Sequence, residues 1–135
     1  MQNVQNLSKK DVGLLEVAQK HAKKSYKSGQ TTIAAALRTK NGNVYTGINI
    51  KYRVRNTSMC AERLAIFKAI EAGERNLDTI VGVKYFPKRD TYKIVVACGE
   101  CRQVAAHHAP IKTIINNKGV TKIVSIEALL PHAYK

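Results

Sequence analysis

A chain of 135 residues with 44% hydrophobic content has material for one core and not for two, so a single domain over 1–135 is expected. Its 23 Lys and Arg against nine Asp and Glu give a formal charge of +14, which suits a polyanionic partner, yet the lysines run along the whole chain from Lys9 and Lys10 through Lys84 and Lys88 to Lys118. No apolar run reaches the roughly 18 residues of a membrane span, and Met1–Lys10 is polar, without the apolar centre of a secretory signal, so a cytoplasmic chain is expected.

Taken in order, Ser8 opens a helix as its N-cap, with Asp11 three positions on. Val12, Leu15, Ala18 and Ala22 then recur at helical spacing, and Gly29 is expected to end the segment. Thr31–Leu37 and Val44–Ile50 read as an antiparallel pair joined at Asn41-Gly42, a step that suits a two-residue type I′ turn. Arg53–Met59 reads as a loop, followed by a helix from about Ser58 to Glu71 that Gly73 closes. Thr79–Tyr85 and Tyr92–Ala97 are strands by their Val, Ile and Tyr content. Cys98 and Cys101 start a third helix that runs to about His108, Lys112–Asn116 is a further strand, and Ser125 caps a short helix before Pro131. Such alternation implies one mixed sheet with helices on both faces, an α/β fold.

All three cysteines fall into one pattern: Cys60-Ala61-Glu62 and, after residues 63–97, Cys98-Gly99-Glu100-Cys101. Three cysteines cannot all pair as disulfides, and this spacing suits a metal. Three thiolates leave one tetrahedral position of Zn²⁺ open, where a water can be acidified. A carboxylate two residues from a ligand, outside the metal shell, is placed to carry protons, and a Glu between a first ligand and a distant C-x-x-C is the signature of zinc nucleobase deaminases. Each metal residue starts a helix, where free N–H groups stabilise thiolates. Arg63 and Arg102, each adjoining a metal-site residue, would offset the negative charge of three thiolates; the alternative is that both are ordinary surface arginines. A closed, structural Cys₃His site is the rival, with His21, His107, His108 or His132 as fourth ligand. His107 and His108 fall about two turns after Cys98, away from the metal end of their helix.

Over nearly its whole length the chain resembles the small cytidine deaminase family, and within it is similar to the blasticidin S deaminases. The resemblance is carried by Ala34-Ala35-Ala36-Leu37 to Asn41-Gly42, Thr46-Gly47-Ile48-Asn49-Ile50, Cys60-Ala61-Glu62-Arg63, Cys98-Gly99-Glu100-Cys101-Arg102-Gln103 and Ile126-Glu127-Ala128-Leu129-Leu130-Pro131 with Tyr134. It implies a three-layer α/β/α sandwich around a five-stranded mixed sheet, commonly assembled as a homotetramer. It also implies Zn²⁺ on Cys60, Cys98 and Cys101, Glu62 as proton shuttle, the N–H groups of Ala61 and Cys98 near the substrate, Asn49 on its sugar and Tyr134 near its base. Tyr134 can equally be a frayed terminus, since only Lys135 follows it.

Three departures from the family's pattern matter, and the charge inversion at Lys51 speaks against free cytidine as the natural substrate. Ala97 stands where the family has Pro, Thr31 where an aromatic flanks the pyrimidine, and Lys51 where a glutamate pairs with Asn49 on the ribose hydroxyls. Lys51, Arg53 and Arg55 form a basic stretch that suits a phosphate, a carboxylate, a nucleic-acid backbone or simply water. The expectation is zinc-dependent deamination of a cytosine-bearing small molecule, blasticidin S or a related cytosine nucleoside, with cytidine or deoxycytidine as the second reading. A polynucleotide cytosine deaminase and a basic nucleic-acid-binding module with structural zinc stand behind these. With no Trp, two Phe and six Tyr the chain gives a polynucleotide deaminase, which would present aromatics for stacking, little support.

Overall fold

The computed structural model describes residues 7–134; of the polar N-terminal stretch, Met1–Asn6 lie outside the described residues, as does Lys135. Helix α1 (Lys9–Ser25) begins as expected, with the Ser8 hydroxyl accepting from the Asp11 N–H at 3.2 Å. It buries Leu14, Leu15, Ala18 and Ala22, while Val12 is half-buried. The helix stops four residues before Gly29, because Gly29 (φ 77°) serves a separate turn closed by Thr31 N–H on the Lys27 carbonyl at 2.9 Å.

Strands β1 (Ile33–Thr39) and β2 (Val44–Ile48) pair antiparallel, Ala35 opposite Gly47. Their turn differs from the expected type I′. Gly42 has φ 92° but Asn41 is not left-handed, and Thr39 N–H reaches the Asn43 carbonyl at 2.8 Å. The loop is therefore three residues, Lys40–Gly42, with one glycine taking the left-handed position. Lys40 N–H is held by the Asn76 carbonyl at 2.9 Å, a contact from outside the hairpin that local pattern cannot reveal.

Helix α2 (Ala61–Glu71) ends in a Schellman motif: Gly73 (φ 95°) donates to Ile70 and Glu74 to Ala69, each at 3.0 Å. Strands β3 (Leu77–Phe86) and β4 (Thr91–Val95) form a second hairpin, and α3 (Gly99–Ala106) follows. Strands β5 (Lys112–Asn117) and β6 (Val120–Ser125) form a third, and Ile126–Leu129 is a 3-10 turn capped by Ser125. Pattern reading assigns no strand to Val120–Ser125, although Val120, Thr121, Ile123 and Val124 are β-branched and Lys118 (φ 51°) and Gly119 (φ 84°) make the turn before it.

The sheet runs β2-β1-β3-β5-β6, five strands in its main path, with β5 parallel to β3 and the other pairs antiparallel. The sixth strand, β4, pairs with the second half of β3 (Gly82–Phe86), while β5 pairs at Thr79 and Ile80, so both lie along β3. Side chains alternate in direction along each strand. Ala36, Val81 and Val83 meet Leu14, Leu15 and Ala18 of α1 on one face. Ala35, Leu37 and Ile80 meet Ala61, Ala65, Ile66 and Ala69 of α2 on the other, with Ala105 of α3 in the same cluster. This is the expected mixed sheet with helices on both faces.

A polar tie crosses the α1 face. Arg38 on β1 pairs with Asp11 on α1 at 2.9 Å and Asp78 on β3 at 2.7 Å, so the Asp11 carboxylate serves the sheet rather than its own helix start. Burial works against the charge on Asp78, but the hydrogen bonds from Arg38 and Thr79 outweigh it and hold the carboxyl below the ordinary aspartate range. A depressed folded-state pKa contributes stability above the ordinary range that is lost as pH falls through the lowered value. We expect Asp78→Asn to lower stability at pH 7 by about 1 kcal/mol, since the pair is partly open to water. In urea melts the gap between the two proteins should close as pH is lowered past the carboxylate range.

Candidate active site

The N-terminal ends of α2 and α3 converge: Cys60 is the N-cap of the first and Cys98 of the second, with Cys101 in the first turn of α3. The three sulfurs lie within 4.8 Å of one another, and Cys60 Sγ is 3.8 Å from Cys98 Sγ. A tetrahedral zinc with bonds of about 2.3 Å sets its sulfurs about 3.8 Å apart. Burial, the largest influence, pushes the thiols of Cys60 and Cys101 above the ordinary range. Burial also acts on Cys98, but N–H groups of Cys101 and Glu100 outweigh it and hold that thiol below the ordinary range. Arg63 supplies the matching cation. Despite burial its guanidinium pKa is raised by Cys60 and Cys101, its Nη1 meets Glu100 Oε2 at 3.2 Å, and its buried Nε has no oxygen or nitrogen partner. A buried, unpartnered guanidinium N–H beside these sulfurs fits thiolates, and so fits the metal.

Glu62 follows on α2 and is buried at 8% exposure, which pushes its carboxyl above the ordinary glutamate range. It lies against Gly82 of β3, where an added Cβ would stand 2.8 Å from Glu62 Oε2. Glu62, Cys60 and Cys98 line a cleft of about 570 Å³ that Asn49, Lys51 and Ala61 also line. Ile33, Met59, Val95 and Val96 give that cleft apolar walls. Asn49 is oriented by its neighbours: its Oδ1 accepts from Thr32 N–H at 2.8 Å and Ile33 N–H at 2.9 Å. Both partners are donors, so the side-chain amide N–H₂ is what remains for a ligand.

Residues 8–117 match the family model described as the cytidine and deoxycytidylate deaminase zinc-binding region. The chain belongs to this family. It is 32% identical over 134 residues to a blasticidin-S deaminase of Bacillus cereus, covering 96% of this chain and 95% of that one. It is 37% identical over 105 residues to a cytidine deaminase of Halalkalibacterium halodurans, 76% of each chain. Among solved structures, a cytidine deaminase of Burkholderia pseudomallei superposes with a TM-score of 0.75 at 30% identity, over 91% of this chain and 98% of that one. The enzymes of this family are zinc-dependent hydrolytic deaminases, and the Cys60, Cys98 and Cys101 cluster fits a zinc site.

Seen as a deaminase, the fold does not gather every residue singled out from sequence. Arg102 is not set on the sulfurs: its Nε donates to the Ala97 carbonyl at 2.8 Å and its Nη1 to the Leu129 carbonyl at 3.1 Å. It thereby ties Ala97, just ahead of Cys98, to the 3-10 turn at Leu129. Tyr134 is 82% exposed and lies outside the Glu62 cleft; its carbonyl accepts from Gln103 Nε2 at 2.9 Å. Thr31 is buried and donates to the Asn49 carbonyl at 2.9 Å, so it braces the Asn49 loop instead of walling the base site. Among the described residues no histidine joins the three thiols.

Sequence reasoning missed Gly82. Its only local signal is a glycine set between β-branched neighbours, Thr79-Ile80-Val81 and Val83, which marks close approach by something else. Gly82→Ala should cut turnover at least tenfold by displacing the Glu62 carboxyl, with zinc content and circular dichroism unchanged. Cys98→Ala removes a ligand and an anchored thiolate, and should lower bound zinc well below one ion per chain by metal analysis.

Proposed function

We propose that this deaminase removes the amino group from the cytosine of a small molecule, blasticidin S or a related cytosine nucleoside, giving the uracil form and ammonia. The observation that carries the reading is the buried Glu62 carboxyl beside three thiols in a cleft with apolar walls. The Bacillus cereus relative, similar over nearly the full length of both chains, supports blasticidin S; the shorter match to a cytidine deaminase supports cytidine or deoxycytidine as the second reading.

When bound, zinc supplies Lewis-acid activation of a water. Glu62 takes a proton from the attacking water and delivers it to ring N3 as C4 becomes tetrahedral. It then takes the remaining proton from the new C4 hydroxyl and passes it to the amino group, which leaves as ammonia as the C4–N bond breaks and C4=O forms. A carboxyl raised by burial suits this role, because it must hold a proton as readily as release one. The Ala61 N–H, first in α2 and without a helical partner, would donate to the base carbonyl. Asn49 offers its amide N–H₂ to the sugar. Arg63 holds the thiolates in place and offsets their charge. The proposal includes a homotetramer, in which Tyr134 would have a neighbouring chain to meet, and a reducing cytoplasmic setting that keeps the thiols free.

Cytosine absorbance decides the matter. Zinc-loaded protein is given cytidine, deoxycytidine, CMP and blasticidin S in parallel, with Glu62→Gln as the comparison. We expect loss of cytosine absorbance with at least one of them, reduced about 10²–10⁴-fold in Glu62→Gln at equal zinc content. Turnover that survives Glu62→Gln would remove the proton-shuttle role, and no turnover of any of the four would remove the substrate class.

A further inference from the structure

We infer that Lys51 and Arg55 form an anion subsite at the cleft mouth, so that the preferred substrate is a cytosine compound whose sugar carries a phosphate or carboxylate. This rests on reading the cleft as a cytosine deaminase site.

Of the three basic residues before the metal helix, Lys51 and Arg55 line the same cleft as Glu62, whereas the intervening Arg53 does not. Both are carried by a held loop. A two-way bridge closes it at the base, Ile50 N–H to Met59 carbonyl and the reverse, each 2.9 Å. Lys51 N–H is anchored on the Gln30 carbonyl at 3.1 Å. Arg55 opens a 3-10 turn, fixed by Ser58 N–H on its carbonyl at 3.0 Å.

Among the described residues neither cation has an ion-pair partner, while Arg38, Arg63 and Lys23 all do. The carboxylates lining the cleft are committed elsewhere: Glu62 is buried against Gly82, and Glu100 is paired with Arg63. Two of the nearby polar groups also lean toward donation. Asn49 has given its carbonyl oxygen to two N–H groups, and Ser58 Oγ already accepts from Tyr52 N–H at 3.0 Å. Two sugar hydroxyls need an acceptor for their protons, and Lys51 supplies none. An acceptor-only group, phosphate or carboxylate, satisfies two cations and spare N–H donors together.

The test is calorimetric binding to zinc-loaded Glu62→Gln protein, with cytidine, CMP, blasticidin S and a short oligodeoxycytidylate as probes. We expect CMP or blasticidin S to bind about tenfold more tightly than cytidine, the sum of two exposed charge pairs. Which of the two wins separates phosphate from carboxylate. Adding Lys51→Gln and Arg55→Gln should abolish the preference, so that CMP and blasticidin S bind no more tightly than cytidine does to the same variant, while adding Lys51→Arg should retain it. Cytidine binding as tightly as both anionic probes would overturn the subsite, as would a preference that survives the double substitution. Tighter binding of the oligonucleotide than CMP, with a steep salt dependence, would instead assign the cations to a polynucleotide. The two readings fail separately: Glu62-dependent turnover with no anion preference removes the subsite alone, whereas anion preference without turnover removes the reaction alone.

Discussion

Helix α2 lies closer to the sheet than ordinary side chains permit, and the active site depends on that approach. At Gly47 an added Cβ would meet the Ala61 carbonyl and stand 2.6 Å from the Ala65 amide. The facing surfaces are correspondingly small, with Ala35 on β1 and Ala61, Ala65 and Ala69 on α2 all buried. Close packing of small residues brings the first turn of α2 down onto the sheet, and with it Cys60 and Glu62. A larger residue at Gly47 would push that turn outward and carry both groups with it.

From there the site assembles by addition. β4 returns along β3 and delivers the chain to α3, so Cys98 and Cys101 arrive beside Cys60 from a different part of the sequence. Positive helix ends then meet developing thiolates, and Arg63 adds a full charge whose Nε has no competing oxygen partner. Glu62 is the counterweight. Its carboxyl is buried where a second glycine leaves room, and burial without an ion pair raises its proton affinity, a cost in stability that proton transfer requires.

The cleft mouth follows different physics. Ala61 and Glu62 at the cleft floor are buried, while Lys51 and Arg55 stand exposed on a loop closed by backbone hydrogen bonds. Exposed charges of this kind contribute little to folding. Their value is in discrimination between ligands, where a positive group opposite a hydroxyl and opposite a phosphate differ by enough to choose.

The identity of the chemistry was legible in the residues themselves. Three cysteines and a glutamate at this spacing supply a metal donor set and a neighbouring carboxylate, because ligand type is a property of the groups. The helices and most strands were legible too, since period and capping are local. What lay beyond reach was whatever depends on a partner distant in sequence. Gly42 took a three-residue turn in a loop held by Asn76, Asp11 left its helix for Arg38, and Arg102 turned to Ala97 and Leu129 instead of the sulfurs. Gly82 was unreadable as a site residue until Glu62 was seen against it. Sequence alone determined the donor set and its spacing; tertiary structure decided how deep each group lies and which of them line one cleft, because burial and orientation are set by neighbours that only folding brings together.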